Sequence, residues 1–205
     1  MDCQEQRYID FAFVLCYNFV MKLHLACGHR YIPGWMHVDL SEMPHINWSS
    51  PIDHLPFIHD GTVDIIYISH GLNYLEPATV PKAFDEWWRI LKPNGVLRLS
   101  VPNLRASWTV YEKTNDISQL AGALYGRMHV KTPLGYRTVQ HQAQYDTVIL
   151  NRLFTTHGFY NITYWDWRET EHANIDDYSQ AYWPHMQKED GTLLSINIQA
   201  QKYVR

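Results

Sequence analysis

The chain is poor in the features that mark secreted, fibrous or nucleic-acid-binding proteins. Its 205 residues hold three cysteines, Cys3, Cys16 and Cys27, in no paired spacing. That excludes a disulfide scaffold and a zinc finger and makes the reducing cytoplasm the expected location. No run of lysine or arginine occurs, and 17 Lys and Arg against 21 Asp and Glu leave a formal charge of −4, so a duplex nucleic acid is not an expected partner. Nor is a membrane, because no apolar run reaches the roughly 20 residues of a span. The longest, Ile9 to Met21, is interrupted by Asp10 and Asn18 and lacks the basic flank and small-residue cleavage site of a signal peptide. Residues 1–20 read either as a packed appendage or as sequence upstream of a start at Met21. Repeats and low-complexity segments are missing, and the length suits one domain, 21–205, able to bury roughly 70% of its unfolded surface.

What is present after Met21 is a rapid alternation of short β-type runs and longer helical ones, the pattern of an α/β fold. Strands are expected at Lys22 to Ala26, Met36 to Leu40, Ile46 to Trp48 and Val63 to Ser69. Val80, Phe84, Trp87, Trp88 and Leu91 share one face of a helix by their spacing. Pro93-Asn94-Gly95 is a turn, and Val96 to Val101 a fifth strand stopped by Pro102. Further on, 104–145 reads as an insert: helices at Leu104 to Lys113 and Ile117 to Tyr125, then a loop-rich piece, Gly126 to His141. A helix at Asp146 to His157 follows, with strands at Asn161 to Trp167, which puts Trp165 and Trp167 on one face, and at Thr192 to Val204. A polar, aromatic loop, 168–190, separates those strands. The expected architecture is a Rossmann-like open, mostly parallel seven-stranded sheet with helices on both faces and a late insert or lid.

Chemistry concentrates in LHLACGHRYIPGWMHVDL, which ends at Leu40. A strand runs into Ala26-Cys27-Gly28, where small residues let backbone N–H groups approach a ligand, and the next strand ends in Asp39, placed to bind ribose hydroxyls. A dinucleotide site needs G-x-G-x-x-G, a full helix and an acid about 20 residues on. Here the crossover is too short for that helix, and a pyrophosphate would lose its N-terminal dipole. A ligand with a ribose and no phosphates fits better. Ala26 to Gly28, Asp39, Ser69-His70 and Pro102-Asn103 all fall at the carboxyl edge of the expected sheet, where open parallel sheets bind ligands.

The same segment resembles the first motif of the class I S-adenosylmethionine-dependent methyltransferases, in a form whose first helix is reduced to a loop ending in Gly-Trp. LPFIHDGTVDIIYISHGLNYLEP (55–77) and EWWRILKPNGVLRLSVPNL (86–104) resemble the blocks that follow. YGRMH (125–129), YWDWRETEH (164–172) and DDYSQAYWPHMQKEDGTLLSINIQA (176–200) look like a small methyltransferase subgroup. The resemblance implies S-adenosylmethionine as cofactor, with Ala26, Cys27 and Gly28 along its methionine end and Asp39 on both ribose hydroxyls. The family's adenine-side acid falls on Pro51, and Asp53 is the nearest acid. Ser69 and His70 would face the sulfonium and the acceptor. The usual Leu-Glu-His reads Leu72-Asn73-Tyr74.

Methyl transfer is an in-line displacement governed by alignment, and a base is needed only for a hydroxyl or protonated amine acceptor. His70 is the candidate, as catalytic base or as a residue that only packs on the cofactor. From Ile117 to Tyr145 there is no Asp or Glu, while Arg127, Lys131, Arg137, His129 and His141 are present. This patch reads as a site for a small anionic or sugar-linked acceptor, held by Arg127, Arg137 and His141 with Tyr178, or as a solvated loop paired with Asp166 to Asp177. Asp176, Asp177 and His185, with Glu169, Glu171 and His172 upstream, read as a hydrogen-bonded lid or as carboxylate and imidazole ligands in no compact metal spacing. No metal is assigned. Trp183, in the polar loop, is the aromatic residue placed to meet a ligand. The competing reading for the whole chain is a module that binds S-adenosylmethionine or S-adenosylhomocysteine without catalysis.

Overall fold

The computed structural model describes residues 20–203. The expected appendage or upstream extension, up to residue 19, lies outside the described residues, as do Cys3 and Cys16. Strands β1 (Lys22–Leu25), β2 (Met36–Asp39), β3 (Trp48–Ser49), β4 (Val63–Ser69), β5 (Leu91–Pro102), β8 (Phe159–Tyr164) and β11 (Ser195–Lys202) form one sheet in the order β3-β2-β1-β4-β5-β11-β8. All pairs are parallel except those of β11, which runs antiparallel to both β5 and β8. The fold class is therefore the expected one. The Pro93-Asn94-Gly95 turn is absorbed as an irregularity of β5: Val63 faces Leu91, while Ile65 already faces Val96.

Alternation along the strands sorts the two faces of the sheet. Leu23, Leu25, Val38, Ile66, Ile68, Leu97, Leu99, Ile196 and Ile198 point to one core. There they meet α1 (Val80–Ile90) through Val80, Ala83, Phe84, Trp87 and Ile90, and α4 (Thr147–Thr156) through Leu150 and Phe154. Burying each of the larger side chains contributes about 1.5–3 kcal/mol. Trp87 also satisfies its indole by donating to Ile52 O at 2.7 Å. Its neighbour Trp88 is only half-buried and lies under the Lys202 ammonium, 3.9 Å from the ring centroid.

The other face is polar. His24, Tyr67, Arg98 and Gln199 stand in one row across β1, β4, β5 and β11. Its cover differs from the expected helices: the 29–35 loop brings Ile32 and Trp35, and the stretch after β8 brings Trp165 and Ile175 against Tyr67. With only ten residues between Gly28 and Asp39, a helix has no room there. Strand β8 ends at Tyr164, so Trp165 and Trp167 do not share a strand face as expected; Trp167 opens a 3-10 turn, with the Arg168 guanidinium and the Lys188 ammonium 4.5 and 5.0 Å from the centroid of its ring.

The insert also departs from expectation. After α2 (Leu104–Thr114) and α3 (Ala121–Tyr125), the piece expected as loop-rich forms an antiparallel hairpin, β6 (Met128–Thr132) with β7 (Gly135–Val139). The final strand is divided: β10 (Thr192–Leu193) pairs with β9 (Tyr182–Trp183), and only β11 joins the main sheet. Among the described residues, no helix is long and apolar enough to cross a membrane.

Candidate active site

The carboxyl ends of β1, β2 and β4 converge on a cavity of about 230 Å³, lined by Ala26, Cys27, Gly28, Asp39 and Ser69 among others. The backbone turns sharply there: Ala26, Gly28 and His70 all have φ near +50°, a region that costs a non-glycine residue energy and recurs at functional sites. The Gly28 N–H donates to Asp39 Oδ2 at 2.9 Å, and Asp39 Oδ1 accepts from the Ser41 N–H and hydroxyl at 2.8 and 2.5 Å. Asp39 is thus held in one orientation at the strand tip. A Cβ on Gly28 would meet nothing within 4 Å, so the space beside this turn is open to a ligand. Burial, reinforced by Asp39, pushes the Cys27 thiol up to about 12, which makes Cys27 a wall residue and not a nucleophile.

A second cavity, of about 480 Å³, holds His70, Arg127 and His141. Arg30, Tyr74, Met128, Asp177 and Tyr178 line both spaces and form the wall between them. The Ser195 hydroxyl donates to Tyr178 O at 2.5 Å, which spends its single proton. The 3.0 Å contact between Ser195 Oγ and His70 Nε2 must therefore be donated by the imidazole, and Nδ1 carries the free lone pair. His70 stacks on Tyr178 with ring centroids 5.1 Å apart. Burial, with a smaller push from His141, takes His70 down to about 3, so the ring is neutral at physiological pH. His141 is lowered too, chiefly by burial; its Nδ1 lies 3.2 Å from Ala123 O and its ring packs edge-on against Tyr74.

Two expected residues fall elsewhere. Asp53 does not line the first cavity; Pro51 and Ile52 do, while Asp53 turns to Lys82 on α1, 3.9 Å away. Arg137 lines neither cavity: it sits exposed on β7, opposite Val130 and two residues nearer the hairpin turn than Val139, which does line the first cavity. Lys131 contacts Glu42 at 3.8 Å and not the acidic stretch.

The late cluster is consumed by lid contacts. Tyr67 donates to Asp177 at 2.5 Å, Asp177 also accepts from Ser179 N, Asp176 meets Lys188 at 3.0 Å, and Glu171 meets Lys22 at 2.6 Å. His172 is buried against Trp35, Tyr67 and Trp165. Among the described residues, no three His, Cys, Asp or Glu gather as a metal site would require. Trp183 lines the second cavity. Arg30 and the wall role of Tyr74 were not foreseen. The one signal for Arg30 was its place two residues beyond Gly28.

Residues 38–99 match the model of the methyltransferase domain family. Two solved structures match over nearly their whole length. One is a SAM-dependent methyltransferase from Methanosarcina mazei, with 15% identity, a TM-score of 0.54, and 95% of this chain covered against 98% of that one. The other, from Archaeoglobus fulgidus, gives 14%, 0.55, 94% and 90%. The chain has a class I methyltransferase fold. A third methyltransferase of this fold, the 1,6-didemethyltoxoflavin-N1-methyltransferase of Burkholderia thailandensis, was solved with 1,6-didemethyltoxoflavin and S-adenosylhomocysteine bound; it is 12% identical at a TM-score of 0.50, covering 90% of this chain and 71% of that one. No curated protein matches the chain. At these identities the likeness to solved structures is one of fold, and within that methyltransferase fold the cavity at the strand tips lies where the first motif ends.

Proposed function

We propose that the protein transfers the methyl group of S-adenosylmethionine to a small-molecule acceptor held in the second cavity. The observation that carries this reading is the pair of cavities meeting at one wall, with the Ala26 to Gly28 turn and Asp39 on one side and His70 on the other. The residues present suit the cofactor: Asp39 offers a fixed carboxylate to a ribose, the turn leaves open space, and the buried Nδ1 of His24, a lining residue, has no hydrogen-bond partner among the described residues. The bound S-adenosylhomocysteine of the Burkholderia enzyme supports the choice. When bound, S-adenosylmethionine supplies an electrophilic methyl whose bond to sulfur breaks as the bond to the acceptor forms, leaving a neutral thioether.

The chain's own contribution is alignment and proton handling. Tyr74, Met128 and Tyr178 in the wall fix the approach between the cavities. Where the acceptor atom is a hydroxyl, His70 Nδ1 is the group that takes its proton. Burial makes it a weak base in isolation, and an anionic acceptor beside it would favour the imidazolium. The acceptor is anionic or sugar-linked, with Arg127, His141 and Tyr178 among its contacts; Arg137 has no part in this reading. Incubation with S-adenosylmethionine and a small-molecule extract should release S-adenosylhomocysteine, with His70→Asn slowing turnover tenfold or more and altering its pH profile. Tight cofactor binding without turnover would instead favour the non-catalytic binding module.

A further inference from the structure

Taking the second cavity as the acceptor site, its unclaimed chemistry narrows what it can hold. The aromatic side chains in it have mostly spent their polar atoms on the protein. Tyr74 donates to Gly126 O at 2.6 Å, the Tyr182 hydroxyl accepts from Trp167 Nε1 at 3.4 Å and Arg168 Nη2 at 3.2 Å, and Trp183 Nε1 meets Gln119 Oε1 at 3.5 Å. What these rings leave for a ligand is their carbon faces and, at Tyr182, a hydroxyl proton that an anion can accept. The carboxylates and amides are claimed as well. Asp176 bonds Lys188, Asp177 bonds Tyr67 and Ser179, Gln180 bonds Ala173, Ile175 and Lys188, and Gln119 bonds Asp116.

Two guanidinium groups remain. Arg30 donates from Nε to Asp176 O and lies over the Tyr178 ring at 5.8 Å; among the described residues its two terminal nitrogens have no acceptor. Arg127 also lines the cavity, and among the described residues neither arginine has a carboxylate partner. A sugar brings many hydroxyl donors and would find few free acceptors, so burying it would leave polar groups unpaired. A flat ring with one anionic group asks for what is there: carbon faces and forked cationic donors. The volume, about 480 Å³, lies within the roughly 300–1,000 Å³ of small-molecule sites. We infer that the acceptor is a planar aromatic compound bearing a carboxylate or phosphate, recognised by Arg30 and Arg127.

The test titrates 4-hydroxybenzoate, phenyl phosphate, the neutral 4-hydroxybenzamide and glucose 6-phosphate into the protein, with and without S-adenosylhomocysteine. The aromatic anions should bind at least tenfold more tightly than the amide and than the sugar phosphate. Arg127→Met, at an exposed position that leaves the fold intact, should erase most of that preference, and Arg30→Met the remainder. Equal affinity for acid and amide, tighter binding of glucose 6-phosphate, no binding of any probe at millimolar concentration, or a preference that survives both substitutions overturns the inference. A protein that binds S-adenosylhomocysteine but shows no preference for aromatic anions loses only this inference. One that shows the preference and fails to bind S-adenosylhomocysteine loses the cofactor reading and keeps the anion site.

Discussion

Acidification from pH 7.5 to 5.5 should cost the fold roughly 3 kcal/mol, well before its carboxylates titrate. Four histidines, His24, His37, His70 and His172, are buried with their pKa values pushed down, in each case first by desolvation. His70 falls to about 3 and His37 to about 4. In the unfolded chain each returns to about 6.5. Between those values the unfolded state binds more protons than the folded one, so stability falls as pH drops below about 6.5. At pH 5.5 each histidine that stays neutral in the fold costs RT ln 11, about 1.4 kcal/mol, and His70 and His37 together give the figure stated; His24 and His172 act in the same direction. Urea unfolding at the two pH values measures the difference. His70→Asn, which tolerates the left-handed backbone at φ +53° and keeps a donor toward Ser195, should shrink it by about 1.4 kcal/mol. Equal midpoints at both pH values, or an unchanged difference in the His70→Asn protein, would refute the reasoning.

Other substitutions probe the site's supports. Gly71→Ala would set its Cβ 2.5 Å from Ala26 Cβ and 2.7 Å from Ile68 Cγ2; a loss of about 1–3 kcal/mol should appear in thermal unfolding, and a neutral result would mean the turn yields easily. In a protein lacking Cys3 and Cys16, Cys27 should resist a thiol-specific disulfide reagent at pH 8 and react on denaturation, since burial raises it to about 12; rapid native reaction would contradict this. Tyr67→Phe leaves Oδ2 of the buried Asp177 without its donor and should cost about 1.5–3 kcal/mol while opening the 165–180 segment to proteolysis. Unchanged stability and unchanged cleavage would show that the segment is held by other contacts.

The parts of the site legible in the sequence were those carried by strand ends. Ala26 to Gly28, Asp39, Ser69 and His70 all terminate short apolar runs, and a strand's end fixes where its next residue emerges. Asp53 lies outside the cavity because nearness along the chain is not nearness in space: Pro51 reaches the cavity, and two residues later the side chain faces Lys82. Arg137 lines neither cavity for a related reason. The basic residues of the insert do not form one surface: Arg127 precedes β6 and lines the second cavity, whereas Arg137 sits exposed on β7, toward the Pro133-Leu134 turn of the hairpin. The lid's anchors were illegible in principle, since Tyr67 and Asp177 are 110 residues apart and neither carries a local signal of the other. The same distance hid the row His24, Tyr67, Arg98 and Gln199, which only strand order assembles.

The proposed function requires that the turn after β1 and the carboxylate at the end of β2 hold S-adenosylmethionine. Calorimetric titration of S-adenosylmethionine and S-adenosylhomocysteine into the protein and its Asp39→Ala variant tests it directly. Both ligands should bind the parent protein, and the variant should bind each at least tenfold more weakly, a difference of about 1.4 kcal/mol. No binding of either ligand to the parent protein, or equal binding to the folded variant, would contradict it.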